Sequence, residues 1–184
     1  MELNDVDLVT LAKAARDSAA FEALVRRHQA PLRAFLIRLT GDPPLADDLA
    51  QEALIKAYRA LDGFRGGSSF RSWLFSIALR EAAMARRKTA REGRLAAGLE
   101  SETNAAPAEF SLDLQKALGG LSAKERAAAL LCDAAGLSHA EAASAMAVPL
   151  GAVKTLVARA REKLRAAMSD EIDGTKAASP AACA

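Results

Sequence analysis

Residues 136–165 read Gly-Leu-Ser-His-Ala-Glu-Ala-Ala-Ser-Ala-Met-Ala-Val-Pro-Leu-Gly-Ala-Val-Lys-Thr-Leu-Val-Ala-Arg-Ala-Arg-Glu-Lys-Leu-Arg, and their punctuation decides the fold of this part of the chain. Ser138 with Glu141 three residues later is a capping box, so a helix begins at about residue 139. Val148-Pro149-Leu150-Gly151 is a tight turn, and a last helix runs from Gly151 to about Met168. A short helix, a turn containing glycine and a longer basic helix are the elements of a helix-turn-helix. On the last helix Val153, Leu156, Val157, Ala160, Leu164 and Met168 form the buried arc. Lys154, Thr155, Ala158, Arg159, Arg161, Glu162 and Arg165 are left on the open arc. Lys154, Thr155 and Arg159 lie in the first turns, where a recognition helix meets base edges, and Ala158 permits close approach to a thymine methyl. A merely solvated basic face is the plain alternative; the turn and the capping boxes favour DNA.

Working outward, Ser122 and Glu125 form a second capping box, and Gly119-Gly120 and Gly136 end the helices that precede them. The 184 residues are 51% hydrophobic but only 4% aromatic, rich in Ala and Leu and poor in strand formers, which predicts an all-α protein. Residues 1–94 hold 16 Lys/Arg against 12 Asp/Glu, and residues 115–168 hold 8 against 4. Between them residues 95–114 hold no cation and 4 acids, in a stretch with the Gly, Ser, Asn and Pro of a linker. The expected organisation is therefore two small helical domains, 1–94 and 112–168, joined by a flexible linker over 95–111. Residues 169–184 lack helical periodicity and are expected to be a disordered tail. Cys132 and Cys183 are too few for a disulfide framework, no stretch is apolar enough to insert in a membrane, and the first residues do not resemble a signal sequence; a cytoplasmic location is expected.

In the first domain an apolar stripe runs from Phe21 through Leu24, Val25, His28, Leu32, Phe35, Leu36 and Leu39, crossing Pro31, which is expected to kink or split the helix. Gly41 suits a C-terminal cap and Asp42-Pro43 a helix start. The helix over 43–61 buries Leu45, Leu49, Ala53, Leu54, Ala57 and Leu61. Its other half carries Asp47, Asp48, Gln51, Glu52 and Arg59, with Ile55 and Tyr58 among them. An acidic face with an apolar centre has the anatomy of a partner-binding patch, although stray apolar residues on a solvated face are also common. Phe64-Arg65-Gly66-Gly67-Ser68-Ser69-Phe70 is a loop holding aromatics, and Ser68 and Ser69 can cap the helix after it. That helix sets Trp73, Leu74, Ile77, Ala78 and Met84 on one face and Ser72, Ser76, Arg80 and Arg87 on another. Aromatics beside serines and cations make a single-strand nucleic-acid surface, because bases stack while cations hold phosphates. Trp73 is expected to be structural.

Taken together, these motifs resemble the extracytoplasmic-function (ECF) group of RNA polymerase sigma factors. The resemblance rests on Ala46-Asp-Asp-Leu-Ala-Gln-Glu52, Phe64-Arg-Gly-Gly-Ser-Ser-Phe-Arg-Ser-Trp-Leu74, Arg86-Arg-Lys88, Gly136-Leu-Ser-His-Ala-Glu-Ala-Ala143 and Pro149-Leu-Gly-Ala-Val-Lys-Thr155 with Arg159-Ala-Arg-Glu-Lys-Leu-Arg165. It covers residues 8–90 and 112–168. It implies that Asp48, Gln51, Glu52 and Ile55 dock on the β′ clamp helices of core RNA polymerase. Phe64, Arg65, Ser68, Phe70, Arg80 and Arg87 would then capture the minus-10 strand, and Lys154, Thr155, Ala158, Arg159 and Arg161 would read the minus-35 element. It further implies an anti-sigma factor as a regulatory partner, and a linker lying in the polymerase channel later taken by RNA. Arg80, Ala152 and Leu156 depart from residues common in the group, so base preference at those points is not inherited.

Two rival classes follow from the same residues. A helix-turn-helix regulator that acts without joining polymerase would need a receiver or ligand-binding domain with strands, of which residues 1–94 show no sign. An enzyme would need a nucleophile and base, yet Cys132 sits in an apolar run and His139 at a helix start. Asp47, Asp48 and Glu52 lack a histidine to complete a metal site. No catalytic residue, metal or cofactor is therefore expected.

Overall fold

A computed structural model describes residues 3–14, 18–95 and 112–177, with side chains over 3–14, 18–92 and 114–169. Four helices form the first half: α1 (Asp5–Ala14), α2 (Ser18–Thr40), α3 (Pro43–Ala60) and α4 (Phe70–Leu95), with a 3-10 turn at Leu61–Gly63 before the loop into α4. The second half is α5 (Leu112–Gly119), α6 (Ala123–Ala129) continuing into a π-turn at Leu130–Ala134, α7 (His139–Met146) and α8 (Leu150–Ala177). There is no strand among the described residues.

The local signals place the helix starts. Asp42 caps α3 by accepting from Leu45 N at 3.0 Å, and Gly41 before it turns at φ 73°. Ser122 and Ser138 both close complete capping boxes with Glu125 and Glu141. The last helix starts at Leu150, one residue before the expected Gly151, with Pro149 supplying the first carbonyl to Ala152 and Val153.

Three expectations need correction. Helix α2 runs unbroken through Pro31 rather than splitting there. Proline in a helix interior costs about 3 kcal/mol or more, but Leu24, Leu32 and Leu36 on this helix are fully buried, each stabilising by about 1.5–3 kcal/mol. The expected tail also changes, because α8 continues past Met168 to Ala177; residues 169–177 hold no proline, and the single Gly174 costs a helix only about 1 kcal/mol. Met168 itself is exposed rather than part of the buried arc, as is Met84 on α4. Of the expected linker over 95–111, Leu95 ends α4, and residues 96–111, the last residues 178–184 and with them Cys183 lie outside the described residues.

The first core is built by α2, α3 and α4 around Phe35 and Phe75, whose ring centroids are 5.1 Å apart. Helix α3 meets it with Ala46, Ala50, Ala53 and Ala57, and these small residues let the backbones approach closely. Helix α1 is tied on by Asp5, which accepts from Arg27 at 2.6 Å and pairs with the buried His28 at 2.7 Å. Burial pushes the His28 imidazole below its ordinary value, against the pull of Asp5. The same buried apolar cluster continues in the second half through Leu118, Leu121, Leu131, Leu137, Val153 and Val157. The halves do not stand apart: α7 packs along α4, and Arg126 of α6 donates to the Leu39 carbonyl at the end of α2 at 3.3 Å.

Candidate polymerase and nucleic-acid interfaces

On α3 the charges of the polar face are not equivalent. Asp47 is paired with Arg33 of α2 at 2.5 Å, and Glu52 shares Lys56 with Glu81 of α4, at 3.3 and 2.6 Å. Hydrogen bonding to Glu81, above all, raises the Lys56 ammonium above its usual value. Asp48 and Gln51 are exposed, Ile55 is half-buried beside them, and Tyr58 is 56% exposed with its ring 4.9 Å from Phe21. Tyr58 therefore extends the apolar centre of this face; its place on the polar half of the helical wheel was the signal for it.

The aromatic loop is held from three sides. The Lys13 ammonium of α1 donates to the Phe64 carbonyl at 2.8 Å, a link across 51 residues that no local pattern announces. The Phe64 ring is 5.0 Å from Trp73 and stands edge-on to Phe70 at 6.2 Å. Ser69 caps α4 by accepting from Ser72 N at 3.2 Å. Phe64 and Ser68 are half-buried and Arg65 is exposed, whereas Phe70 is buried in the core, so Phe70 supports the loop from beneath. Further along α4, Arg80 and Arg87 are exposed, with Arg80 held over Ser76 by two 3.1 Å hydrogen bonds. Trp73 packs between Phe64 and Phe70, as expected of a structural residue.

The helix-turn-helix is formed by α7 and α8, between which the chain bends by 105°. Ala147 takes the left-handed conformation at φ 53°, and Val148 N donates back to the Ala143 carbonyl at 3.1 Å, closing α7. Lys154, Thr155, Ala158 and Arg159 are all exposed on one side of α8, with the Thr155 hydroxyl donating to the Gly151 carbonyl at 3.0 Å. Arg161 differs from them. Its guanidinium forks onto Asp133 of the π-turn at 2.5 and 3.1 Å, which raises its pKa further and commits the group to the protein. Lys163 pairs with the buried Glu125 through two 2.9 Å contacts, and this hydrogen bond, with those of Ser122, lowers the Glu125 carboxyl to about 2. Cys132 is half-buried, and burial followed by the Asp133 charge raises its thiol pKa, which suits an inert side chain better than a nucleophile.

Between the halves lies a groove of about 760 Å³, walled by α4 and the end of α2 on one side and by α6 and α7 on the other. Leu39, Leu45, Leu79 and Met146 give it an apolar floor. Arg80, Arg86, Arg87, Lys124 and Arg126 rim it, with no carboxylate among its described lining residues. Burial, and then the Arg86 charge, hold the Arg126 guanidinium below its usual value, so the rim repels itself.

The families described as Sigma-70 region 2 and Sigma-70, region 4 match residues 24–92 and 111–164. The chain is 34% identical to the RNA polymerase sigma-H factor of Pseudomonas aeruginosa, over 83% of this chain and 88% of that protein. It is 37% identical to the ECF RNA polymerase sigma factor EcfG of Rhodopseudomonas palustris, covering 79% and 82%, and 36% identical to the ECF sigma-E factor of Escherichia coli K12, covering 80% and 86%. Among solved structures it is similar to the sigma factor RpoE in complex with the anti-sigma factor NepR from Bartonella quintana, with a TM-score of 0.73 at 34% identity over 81% of this chain and 96% of that one. It is also similar to CnrH in complex with the cytosolic domain of CnrY, with a TM-score of 0.70 at 28% identity over 90% and 97%. With the two domains, the helix-turn-helix and these relatives in agreement, the chain belongs to the ECF group of the sigma-70 family, factors that join core RNA polymerase, recognise promoter minus-10 and minus-35 elements and initiate transcription without being enzymes themselves.

Proposed function

We propose the following division of labour for initiation. Helix α3 docks on the β′ clamp helices through Asp48, Gln51, Glu52 and Ile55, with Tyr58 extending the contact. The loop bearing Phe64, Arg65 and Ser68 captures an unstacked minus-10 base, backed by Phe70, while Arg80 and Arg87 follow the phosphates. Lys154, Thr155, Ala158 and Arg159 read minus-35 base edges, and Arg161 contributes charge from its pair with Asp133. The observation that carries this reading is the exposure of Lys154, Thr155, Ala158 and Arg159 on one side of a helix-turn-helix, in a chain whose other half offers an acidic face with an apolar centre. Base contacts specify and phosphate contacts position. The domains are 1–94 and 112–168 joined by residues 95–111, and the protein works in the cytoplasm beside its polymerase.

The cation-rimmed groove supports an anti-sigma partner as well. An acidic amphipathic segment of such a protein would match its apolar floor and its cationic rim, which has no carboxylate among the described lining residues. In vitro transcription with core polymerase tests the main reading: initiation from a promoter library that needs this chain and is lost with Ile55→Lys supports it, and no promoter-dependent product rejects it. For the groove, a synthetic amphipathic helix with a glutamate face should bind the full chain, and Lys124→Glu with Arg126→Glu should remove that binding.

A further inference from the structure

Helix α1 lies outside the residues that match region 2, yet it reaches the aromatic loop. Its own placement is firm. Asn4 caps it by accepting from Val6 N at 2.9 Å and from Asp7 N at 3.0 Å, and Leu8, Val9 and Ala12 bury its inner face. Asp5 ties its start to Arg27 and His28 of α2, and the His28 ring stands 5.5 Å from Phe70. Its last turn carries Lys13, half-buried, whose ammonium donates to the Phe64 carbonyl at 2.8 Å.

The loop has little else to hold it. Phe64 N donates to the Leu61 carbonyl at 3.0 Å, and Phe64 lies extended at φ −72° and ψ 112°. Beyond it, residues 65–68 make no backbone hydrogen bond among the described residues. Gly66 turns the chain at φ 73°, and a Cβ added at Gly63, Gly66 or Gly67 would meet nothing within 4 Å. Packing therefore does not oppose the conformational range of these glycines. Order resumes at Ser69, which caps α4. Lys13 thus grips the last residue before the unsupported stretch, and it does so at the carbonyl whose direction sets ψ of Phe64 and the path of the chain into Arg65. An ammonium makes the stronger, charge-assisted kind of hydrogen bond. Fixing a loop before its ligand arrives removes the ordering cost from binding.

We propose that Lys13 is a positioning residue for strand capture: by holding the Phe64 carbonyl from α1, it presents the Phe64 ring and Ser68 to an unstacked minus-10 base in one conformation. Helix α1 is then part of the strand-capture site through its last turn. The proposal rests on the reading of Phe64 and Ser68 as part of the minus-10 surface. A cation in the last turn also stabilises a helix through its dipole, so the experiment has to separate that effect from a hold on the loop.

Lys13→Met keeps the length of the side chain and removes the donor, whereas Lys13→Arg keeps a charged donor. Trp73 is the one tryptophan of the chain and its ring lies 5.0 Å from Phe64, so its acrylamide quenching reports on the loop in the free full-length protein. Quenching should rise in Lys13→Met and return towards the parent in Lys13→Arg. With core polymerase bound, Lys13→Met should lose on the order of tenfold in affinity for a single-stranded minus-10 oligonucleotide, Lys13→Arg should recover most of it, and competition for core should be unchanged. Because Lys13 acts through Phe64, the losses of Lys13→Met and Phe64→Ala should not add in the double variant. Unchanged Trp73 quenching in Lys13→Met, or an equal fall in melting temperature in both Lys13 variants with capture intact, overturns the hold on the loop. Raised quenching with undiminished capture overturns the positioning role, as do additive losses. Normal capture by Phe64→Ala alone marks a different failure, that of the minus-10 assignment beneath the proposal.

Discussion

The two regions proposed to face DNA are built from similar parts and left in opposite states. The recognition helix holds Lys154, Thr155 and Arg159 out to solvent with no ion-pair partner among the described residues, ready for a duplex. At the start of α4, Ser69, Arg71 and Ser72 are instead satisfied by the second domain. The difference teaches that a nucleic-acid surface is defined by what competes for it. A hydroxyl buried without a partner is costly, so Ser72 needs either water, a nucleic acid or the Glu141 carbonyl; in this structure it has the last.

The largest expected effect lies outside both regions and decides whether the comparison matters at all. Ile55→Lys should weaken core binding by more than about 2 kcal/mol if Ile55 is a central contact, with Asp48→Lys smaller. Competition against a labelled sigma factor measures this, and unchanged competition by both, with helicity intact, rejects α3 as the docking helix. Next, Phe64→Ala should cost about 1–3 kcal/mol in strand capture by loss of one stacking partner. A permanganate footprint in complex with core polymerase reads it, and normal minus-10 reactivity would remove Phe64 from the site.

The open region is probed by Lys154→Ala, which should cost about 1–3 kcal/mol and relax preference at one minus-35 position. Arg165→Ala should weaken all sequences alike and lower the salt slope. Should both substitutions weaken binding uniformly, α8 is not reading bases. Arg161→Ala sharpens the point further: because Arg161 is paired with Asp133, its loss should disturb the stability of the second domain as well as its DNA affinity.

The smallest effect is a pH dependence that belongs to the second domain. Glu125 titrates near 2 when folded, well below an ordinary carboxyl. The unfolded chain therefore binds its proton first as pH falls, and the stability contributed by the Glu125–Lys163 pair is fully present above about pH 5 and declines towards pH 2. Thermal denaturation of Lys163→Met across that window should show a shallower decline than the parent. A parallel decline would place the effect elsewhere.

Much of this was legible in local sequence. Ser122, Ser138 and their glutamates start α6 and α7, Asp42 with Pro43 starts α3, and the arc of Val153, Val157 and Ala160 is buried as its spacing requires. Capping and amphipathic periodicity act within a few residues, so a sequence states them directly. Pro31 misled because its local penalty was opposed by core burial contributed from other helices. The length of α8 was missed because a helix already anchored by Val153 and Val157 propagates into residues too polar to announce themselves.

What the sequence determined alone is a set of helices, their order, the helix-turn-helix and the family to which these motifs belong. Only the tertiary structure decided which charged side chains are free to act. Arg161 and Arg159 lie two residues apart on one helix and both are exposed, yet Asp133 pairs with the first and leaves the second without an ion-pair partner among the described residues. Lys13 fixes the aromatic loop across 51 residues, and Glu141 reaches Ser69 across 72. Such contacts depend on packing between helices distant in the chain, where a hydrogen bond forms only after burial has set the geometry. The physical reason is range: periodicity and caps are read along one helix, whereas the availability of a surface is set by whatever else the fold brings against it.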